Sequence, residues 1–176
     1  MRNILLATAA LTLIAAPAMA QSISSPQVSG SVGYTVLDGD DANLGAVTGR
    51  VTARVSPYFG VEGEASFGVK DDDVTVGGVT GDLSHEYDVA AYGVATLPIN
   101  ENFELFGRVG YGTTQIKADV AGFSATEDGE SVNYGVGANY FFDAQNGVRA
   151  DWTRRDFTDD NGGELDTYGL SYVRRF

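Results

Sequence analysis

Apolar and polar residues alternate along most of this chain with a period of two. In the segment VTGRVTARV, residues 47–55, valines fall on one face and arginines on the other. In FGVEGEASFGV, residues 59–69, aliphatic and aromatic residues fall on one face and Glu62 and Glu64 on the other. Successive side chains of a β-strand point to opposite sides. The pattern therefore predicts two neighbouring strands that share one apolar and one charged face.

The same alternation recurs in six further segments, and no segment after residue 21 keeps a helical period. Each segment is close to the ~10 residues that a tilted strand needs to cross a bilayer. Within 87–97 both faces are apolar enough to exchange, so the register is least determined there. We predict eight strands, near residues 28–36, 47–55, 59–69, 87–97, 103–113, 132–142, 148–157 and 166–176.

The predicted connections alternate between short and long. The short ones contain SPY, PINEN and DAQNG, whereas the long ones are acidic and contain DGDDANLG, KDDDVTVGGVTGDLSHE, KADVAGFSATEDGE and TDDNGGE. A meander of hairpins that crosses a bilayer has this alternation, because its two ends lie in different compartments.

The charged residues of the strands decide which face is outside. They alternate with the apolar residues and change sign from strand to strand, as expected if they pair inside a barrel and leave the apolar face to lipid. We therefore predict an all-β fold, an eight-stranded antiparallel up-and-down transmembrane β-barrel. The predicted lumen charge network comprises Arg50, Arg54, Glu62, Glu64, Asp88, Glu104, Arg108, Arg149, Asp151 and Arg155.

An eight-stranded interior is just wide enough to be filled by its own side chains. We expect Arg50 and Arg54 to reach Glu62 and Glu64 across one hairpin. Arg108, Arg149 and Asp151 are expected to link the other wall. Such pairs predict a plugged barrel.

The last strand alternates up to the terminal residue. Tyr168, Leu170, Tyr172 and Phe176 are predicted to face lipid, where aromatic side chains settle at the interfaces. Arg174 stands where an apolar residue is expected, and near the rim it can extend to the lipid headgroups.

The first twenty residues predict a cleaved signal peptide. Arg2 supplies a positive start, an apolar stretch follows, and Ala18-Met19-Ala20 forms a small-residue cleavage site. We predict a signal peptide over 1–20 and one barrel domain over 21–176. Loss of Arg2 leaves 10 basic and 24 acidic residues, a net charge of −14, which argues against nucleic acid as a partner. The chain has no cysteine, so no disulfide holds the fold.

The segments YDVAAYGVATLPINENFELFGRVGYG, residues 87–112, and YGLSYVRRF, residues 168–176, carry a family resemblance. The mature chain resembles the small eight-stranded outer-membrane barrels of Gram-negative bacteria, the OmpA-like transmembrane domain and the OmpX/Ail type. The resemblance implies an exported monomer in the cell outer membrane, surrounded by lipid and lipopolysaccharide. It also implies recognition of the C-terminal strand by the barrel-assembly machinery.

Candidate chemistry is sparse. The single histidine, His85, adjoins Ser84, but neighbouring strand residues point to opposite faces and cannot pair as nucleophile and base. We expect no enzyme and no cofactor. The DGDDAN segment lacks the glycine and glutamate of a calcium loop, so we expect no dedicated metal site. Arg154, near the outer end of its strand, is a candidate contact for a lipopolysaccharide phosphate.

Two functions follow from this pattern. The first is a structural, surface-exposed barrel that supports membrane integrity and presents acidic loops for adhesion or another surface interaction. The alternative is a narrow porin-like channel for ions or small solutes. Opposed charges in the lumen favour the first, because a conducting path usually carries one sign of charge.

Overall fold

The computed structural model describes residues 27–38, 43–70, 72–76, 79–120, 123–158 and 163–176. The predicted signal peptide lies outside these ranges. Within them no helix is long and apolar enough to cross a membrane. The strands are β1 (Gln27–Asp38), β2 (Asn43–Arg54), β3 (Phe59–Lys70), β4 (Asp72–Val76), β5 (Val79–Pro98), β6 (Phe103–Val120), β7 (Phe123–Phe141), β8 (Asn146–Phe157) and β9 (Glu164–Arg175).

The strands close into one antiparallel barrel. Their order is β3-β2-β1-β9-β8-β7-β6-β5-β4, and an additional pairing of β3 with β5 joins the two ends. Over Phe59–Phe67 the partner of β5 is β3, and over Asp72–Val76 it is β4, so β3 and β4 form one interrupted wall. The nine strands therefore make eight walls, which confirms the predicted eight-stranded barrel.

Three tight turns connect strands at one end of the barrel, here called the turn end. In each turn a short polar side chain accepts the backbone N–H of the residue three positions later, a geometry that such residues favour. Ser56 Oγ accepts from Phe59 N at 2.9 Å, and Asn100 Oδ1 accepts from Phe103 N at 2.9 Å. Asp143 Oδ1 accepts from Asn146 N at 2.7 Å. The first strand, β1, begins at this end, and the last strand, β9, ends at it.

At the opposite end, here called the loop end, the strands run further than the alternation predicts. The segments KDDDVTVGGVTGDLSHE and KADVAGFSATEDGE were expected to be loops. Instead β5 begins at Val79 and pairs with β4, and β6 pairs with β7 as far as Val120 and Phe123. Strand pairing continues here because residues such as Val74, Val76 and Val79 favour extended backbone, despite the surrounding aspartates.

The two faces of the barrel differ in polarity as predicted. Val51, Leu170 and Phe67 are exposed on the outer face, whereas Thr48 and Glu62 are buried inside. The interior is crowded: a Cβ atom at Gly110 would lie 2.1 Å from the backbone carbonyl oxygen of Ala91 and 2.7 Å from a ring carbon of the buried Tyr92. A glycine is needed there because the backbone of the neighbouring strand and the tyrosine ring leave no room for a side chain.

Candidate functional site: an ion-paired lumen

The strand period directs ten charged side chains of the predicted set into the lumen. Nine are buried and Arg54 is half-buried. They come from five of the eight walls, and β1, β7 and β9 add none of the ten. The nine buried residues are Arg50, Glu62, Glu64, Asp88, Glu104, Arg108, Arg149, Asp151 and Arg155.

Arg108, on β6, lies at the centre of these charges. Its Nη1 donates to Glu62 Oε1 at 2.9 Å and to Glu64 Oε2 at 2.7 Å. Its Nη2 donates to Asp151 Oδ2 at 3.0 Å. The guanidinium also lies 4.4 Å from the ring centroid of Tyr92. One arginine therefore joins three carboxylates from two strands, β3 and β8.

Arg149, on β8, completes the shell around Glu62. Its Nη1 and Nη2 donate to the two carboxylate oxygens of Glu62 at 2.6 and 3.0 Å. Its Nε donates to Asp151 Oδ1 at 3.0 Å. The Thr52 hydroxyl donates to Glu62 Oε2 at 2.6 Å. Glu62 is thus held by a bidentate pair, which is the strongest geometry for a carboxylate and a guanidinium.

Three arginines contact the Glu64 carboxylate. Arg50 Nε donates to Glu64 Oε2 at 2.6 Å, beside the contact from Arg108. Arg155 Nη2 approaches Glu64 Oε1 at 3.3 Å, and Arg155 Nη1 lies 3.0 Å from Asp88 Oδ2. The Tyr92 hydroxyl donates to Glu64 Oε1 at 3.2 Å. Glu64 therefore links the ion pairs around Glu62 to the pair of Arg155 with Asp88, which lies nearer the loop end.

The charges of this central cluster balance. It contains four arginines and four carboxylates, and burial of such groups is tolerated only when each is paired and hydrogen-bonded. The members of the central cluster are Arg50, Arg108, Arg149, Arg155, Glu62, Glu64, Asp88 and Asp151.

A second cluster lies at the turn end. Glu104 pairs there with Arg54 and, at 2.5 Å, with Arg175. The Arg175 guanidinium also lies 3.4 Å from the ring centroid of Phe141. The Arg54 and Arg175 side chains keep 18% and 16% of their surface exposed, so this cluster is wetter than the central one.

The partner of Arg54 differs from the sequence expectation. Arg54 was expected to reach Glu62 or Glu64, but it pairs with Glu104 of β6. Arg54 lies opposite Gly60 in the ladder, nearer the turn end than either glutamate of β3. Glu62 pairs instead with arginines of β6 and β8. The charges expected on two separate walls therefore form one cluster.

Sequence reasoning missed two members of the lumen. Arg175 follows the inward positions Ser171 and Val173 by the same period of two, so the alternation could have located it. Tyr92 lies in the ambiguous segment 87–97, where only the position of Asp88 on the inner face settles the register.

Nearer the loop end the lumen is filled by neutral groups. Hydroxyls of Thr35, Thr48 and Ser66 form a chain with oxygen separations of 2.8 and 2.9 Å. Beyond them Leu37 and Leu44 pack together, with the partly buried Leu165 against them.

The outer face carries the predicted aromatic end of β9. Tyr168, Leu170, Tyr172 and Phe176 are all exposed on the outer face, and their contact with lipid remains a prediction. Arg154 also faces outward, but its guanidinium is already occupied. It forms a bidentate pair with Asp166, with both distances 2.9 Å.

The described residues form no candidate metal-binding cluster. Within the described ranges, no three His, Cys, Asp or Glu side chains come together as a metal site. Ser84 and His85 are consecutive residues of β5, paired with Lys117 and Ile116 of β6. Their side chains lie outside the described part of the structure, so the expectation that Ser84 and His85 do not pair remains a prediction.

The comparisons with known proteins identify this architecture. A model of the outer membrane protein beta-barrel domain matches residues 6–176. The chain belongs to this family. It is accordingly an outer-membrane protein, and in such barrels short turns face the periplasm and longer loops face the exterior. No curated protein sequence matches the chain.

Several solved structures share the fold of this outer-membrane barrel. Ail, the attachment invasion locus protein of Yersinia pestis in complex with the heparin analogue sucrose octasulfate, is 23% identical, with a TM-score of 0.62 over 86% of this chain and 99% of that chain. The N-terminal β-barrel domain of Pseudomonas aeruginosa OprF is 12% identical, with a TM-score of 0.61 over 86% and 100%. Neisserial surface protein A is 11% identical, with a TM-score of 0.56 over 88% and 98%.

Proposed function

We propose that this protein is a closed structural barrel of the outer membrane that presents an acidic surface to the exterior. The observation that carries the proposal is the balanced central cluster. Arg108, Arg149, Glu62 and Glu64 fill the cross-section with paired groups, and an ion that entered would have to break several charge-assisted hydrogen bonds. The barrel therefore serves as a stable support rather than as a conduit, and its proposed role is not enzymatic.

The surface part of the proposal rests on the distribution of charge along the sequence. Seventeen of the 24 acidic residues fall in four segments at the loop end, which contain only two basic residues, Lys70 and Lys117. The four segments are 38–43, 70–86, 115–130 and 156–166. This excess favours cationic partners, including divalent ions shared with lipopolysaccharide phosphates. A sulfated saccharide such as sucrose octasulfate, the ligand in the Ail structure, would be repelled.

One feature favours the alternative of a narrow channel. A cavity of about 20 Å³ lies inside the barrel near the turn end, lined by polar side chains that include Ser31, Arg54 and Asn139. Ser31 Oγ and Asn139 Oδ1 are buried there without a hydrogen-bond partner among the described residues. The cavity has room for about one water molecule. In the channel alternative, water would enter the lumen here, from the periplasmic side.

Conductance in a planar bilayer tests the proposal. The refolded mature barrel is compared with the Glu62→Ala, Glu64→Ala double variant, which removes two carboxylates from the central cluster. Glu101→Ala, in an exposed turn, is the matched control. A silent wild type and control beside a conducting double variant support the plug. Steady conductance of the wild type would instead establish a channel.

Two partner assignments belong to the same proposal. The exposed residues Tyr168, Leu170, Tyr172 and Phe176 are proposed as the signal read by the barrel-assembly machinery. Arg154 is proposed as a lipopolysaccharide contact at the loop end. Both are supported by position on the outer face, and their tests are given in the Discussion.

A further inference from the structure

A groove of about 680 Å³ crosses the membrane face of the barrel. It passes over β9, β1, β2, β3 and β5. Its floor contains Gly49 and Gly63, and its sides are largely apolar. The outward side chains along it are Val32, Val51, Ala65, Val89, Tyr172, Arg174 and Phe176.

The groove exists because two outward positions carry no side chain. A Cβ atom added at Gly63 would meet nothing within 4 Å, and at Gly49 the nearest atom would lie at 4.0 Å. The neighbouring valine Val51 is 60% exposed and stands above this floor. Both glycines can therefore accept a larger side chain without a clash inside the barrel.

The groove rises from the periplasmic rim toward the middle of the membrane. Arg174 is the last residue but one of β9, which ends at Arg175. Gly63 is four residues from the start of β3 at Phe59, and Val89 is nine residues from the end of β5 at Pro98. The groove spans four strand spacings, about 19 Å at ~4.8 Å each. This length is comparable with the depth of one leaflet, about half of a ~30 Å hydrocarbon core.

The rim of the groove carries an unpaired cation. Arg174 is exposed, and its guanidinium lies 5.8 Å from the ring centroid of Phe176. No carboxylate of the described residues lies within 4.0 Å of it. The nearest electrostatic effect is on Asp143 in the nearby turn, whose pKa the positive charge of Arg174 helps to lower. Arg154, the other described arginine on the outer face, is already paired with Glu164 and Asp166.

We propose that this groove binds one glycerophospholipid of the periplasmic leaflet. The lipid phosphate accepts hydrogen bonds from Arg174, which sits at headgroup level beside exposed Tyr172 and Phe176. One acyl chain lies along the floor over Gly63 and Gly49. A guanidinium that faces lipid takes phosphate as its bidentate partner, because both groups present matching pairs of donors and acceptors.

The test counts lipid retained by the barrel. The mature protein is reconstituted in nanodiscs of phosphatidylethanolamine and phosphatidylglycerol, transferred to a mild detergent, and examined by native mass spectrometry. The wild type is expected to keep one phospholipid. Arg174→Gln removes the phosphate partner and Gly63→Leu fills the floor. Each is expected to weaken retention about tenfold, as the loss of one charged hydrogen bond or of a fitted apolar contact would.

Gly93→Leu is the matched control. Gly93 faces outward in a second depression of about 610 Å³, where an added Cβ would come no closer than 3.9 Å to another atom. Arg108 borders that depression, but it points into the lumen. Retention equal to wild type in Gly93→Leu, with loss in the other two variants, supports the site.

Two results would overturn the proposal. One is equal retention in the wild type, Arg174→Gln and Gly63→Leu, since lipid would then bind without using the groove. The other is a wild-type dimer that Gly63→Leu converts to a monomer with no change in lipid, since a second copy would then occupy the groove. Unfolding curves of the three variants in the same detergent confirm that each barrel is intact.

Discussion

Glu62 of β3 and Arg149 of β8 bind each other across the full width of the barrel. The two strands are four positions apart in the ring of eight walls, which is as far apart as two walls can be. Even so, Arg149 Nη1 lies 2.6 Å from Glu62 Oε2. This bond crosses the lumen, and it is one of the contacts on which the proposed plug depends.

Loss of one carboxylate from the central cluster should destabilise the barrel strongly. We expect Glu64→Gln to lower the free energy of unfolding by about 3–5 kcal/mol, because Arg50 and Arg108 would keep buried charge without its partner. Urea unfolding in lipid vesicles, followed by the fluorescence of Trp152, measures the change. Glu101→Gln is the control, and a loss no larger than that of the control would refute the buried network as a source of stability.

Loss of Glu104 should cost less, although it removes the partner of two arginines. Arg54 and Arg175 are both partly exposed, so water can solvate them when the carboxylate is gone. We expect Glu104→Gln to lower the free energy of unfolding by about 1–2 kcal/mol in the same assay. A loss equal to that of Glu64→Gln would mean that the turn-end cluster is as dry as the central one.

The aromatic end of β9 should matter for assembly more than for stability. We expect Phe176→Ala to leave several-fold more unassembled protein in cells, because an exposed terminal aromatic side chain is the proposed recognition signal. The fraction that migrates as folded barrel on unheated gels measures assembly. Phe142→Ala removes another exposed aromatic side chain at the same end of the barrel. If both variants assembled equally well, the signal would not depend on Phe176.

The turn between β7 and β8 should respond to acid. Hydrogen bonds from Asn146 and the backbone N–H of Gln145 lower the pKa of the Asp143 carboxyl below its ordinary value. A depressed pKa means that this contribution is complete above the ordinary aspartate pKa and disappears as the pH falls through the folded value. Carboxyl chemical shifts measured by NMR should give a low pKa in the wild type and a more ordinary one in Asn146→Ala. An unchanged pKa in that variant would remove the proposed cause.

The lipopolysaccharide contact of Arg154 faces competition within the protein. A phosphate would have to share the guanidinium with Asp166 and Glu164. We expect Arg154→Ala to co-purify with about two- to threefold less lipopolysaccharide, a modest change because the arginine is already neutralised. Asp166→Asn should raise the amount by freeing the arginine. Equal amounts in all three proteins would exclude the contact.

The alternation of residues predicted the eight walls and the inner face of each, because a period of two assigns every side chain to one side. It did not predict that Arg54 pairs with Glu104 or that Arg149 reaches Glu62. These partners lie on strands that are distant in sequence, and arginine is long enough to choose among several carboxylates. The extensions of β5 before Tyr87, of β6 as far as Val120 and of β7 back to Phe123 were also missed, because local aspartates and glycines resemble loop sequence.

The ion pairs that cross the lumen also affect how the barrel unfolds. A pair such as Glu62 and Arg149 joins strands that meet only when the ring closes, so it forms after most neighbouring strands have paired. Interactions that are absent from the folding transition state slow unfolding without speeding folding. We therefore expect the charged interior to slow unfolding and lengthen the lifetime of the barrel in the membrane, whatever its net contribution to equilibrium stability.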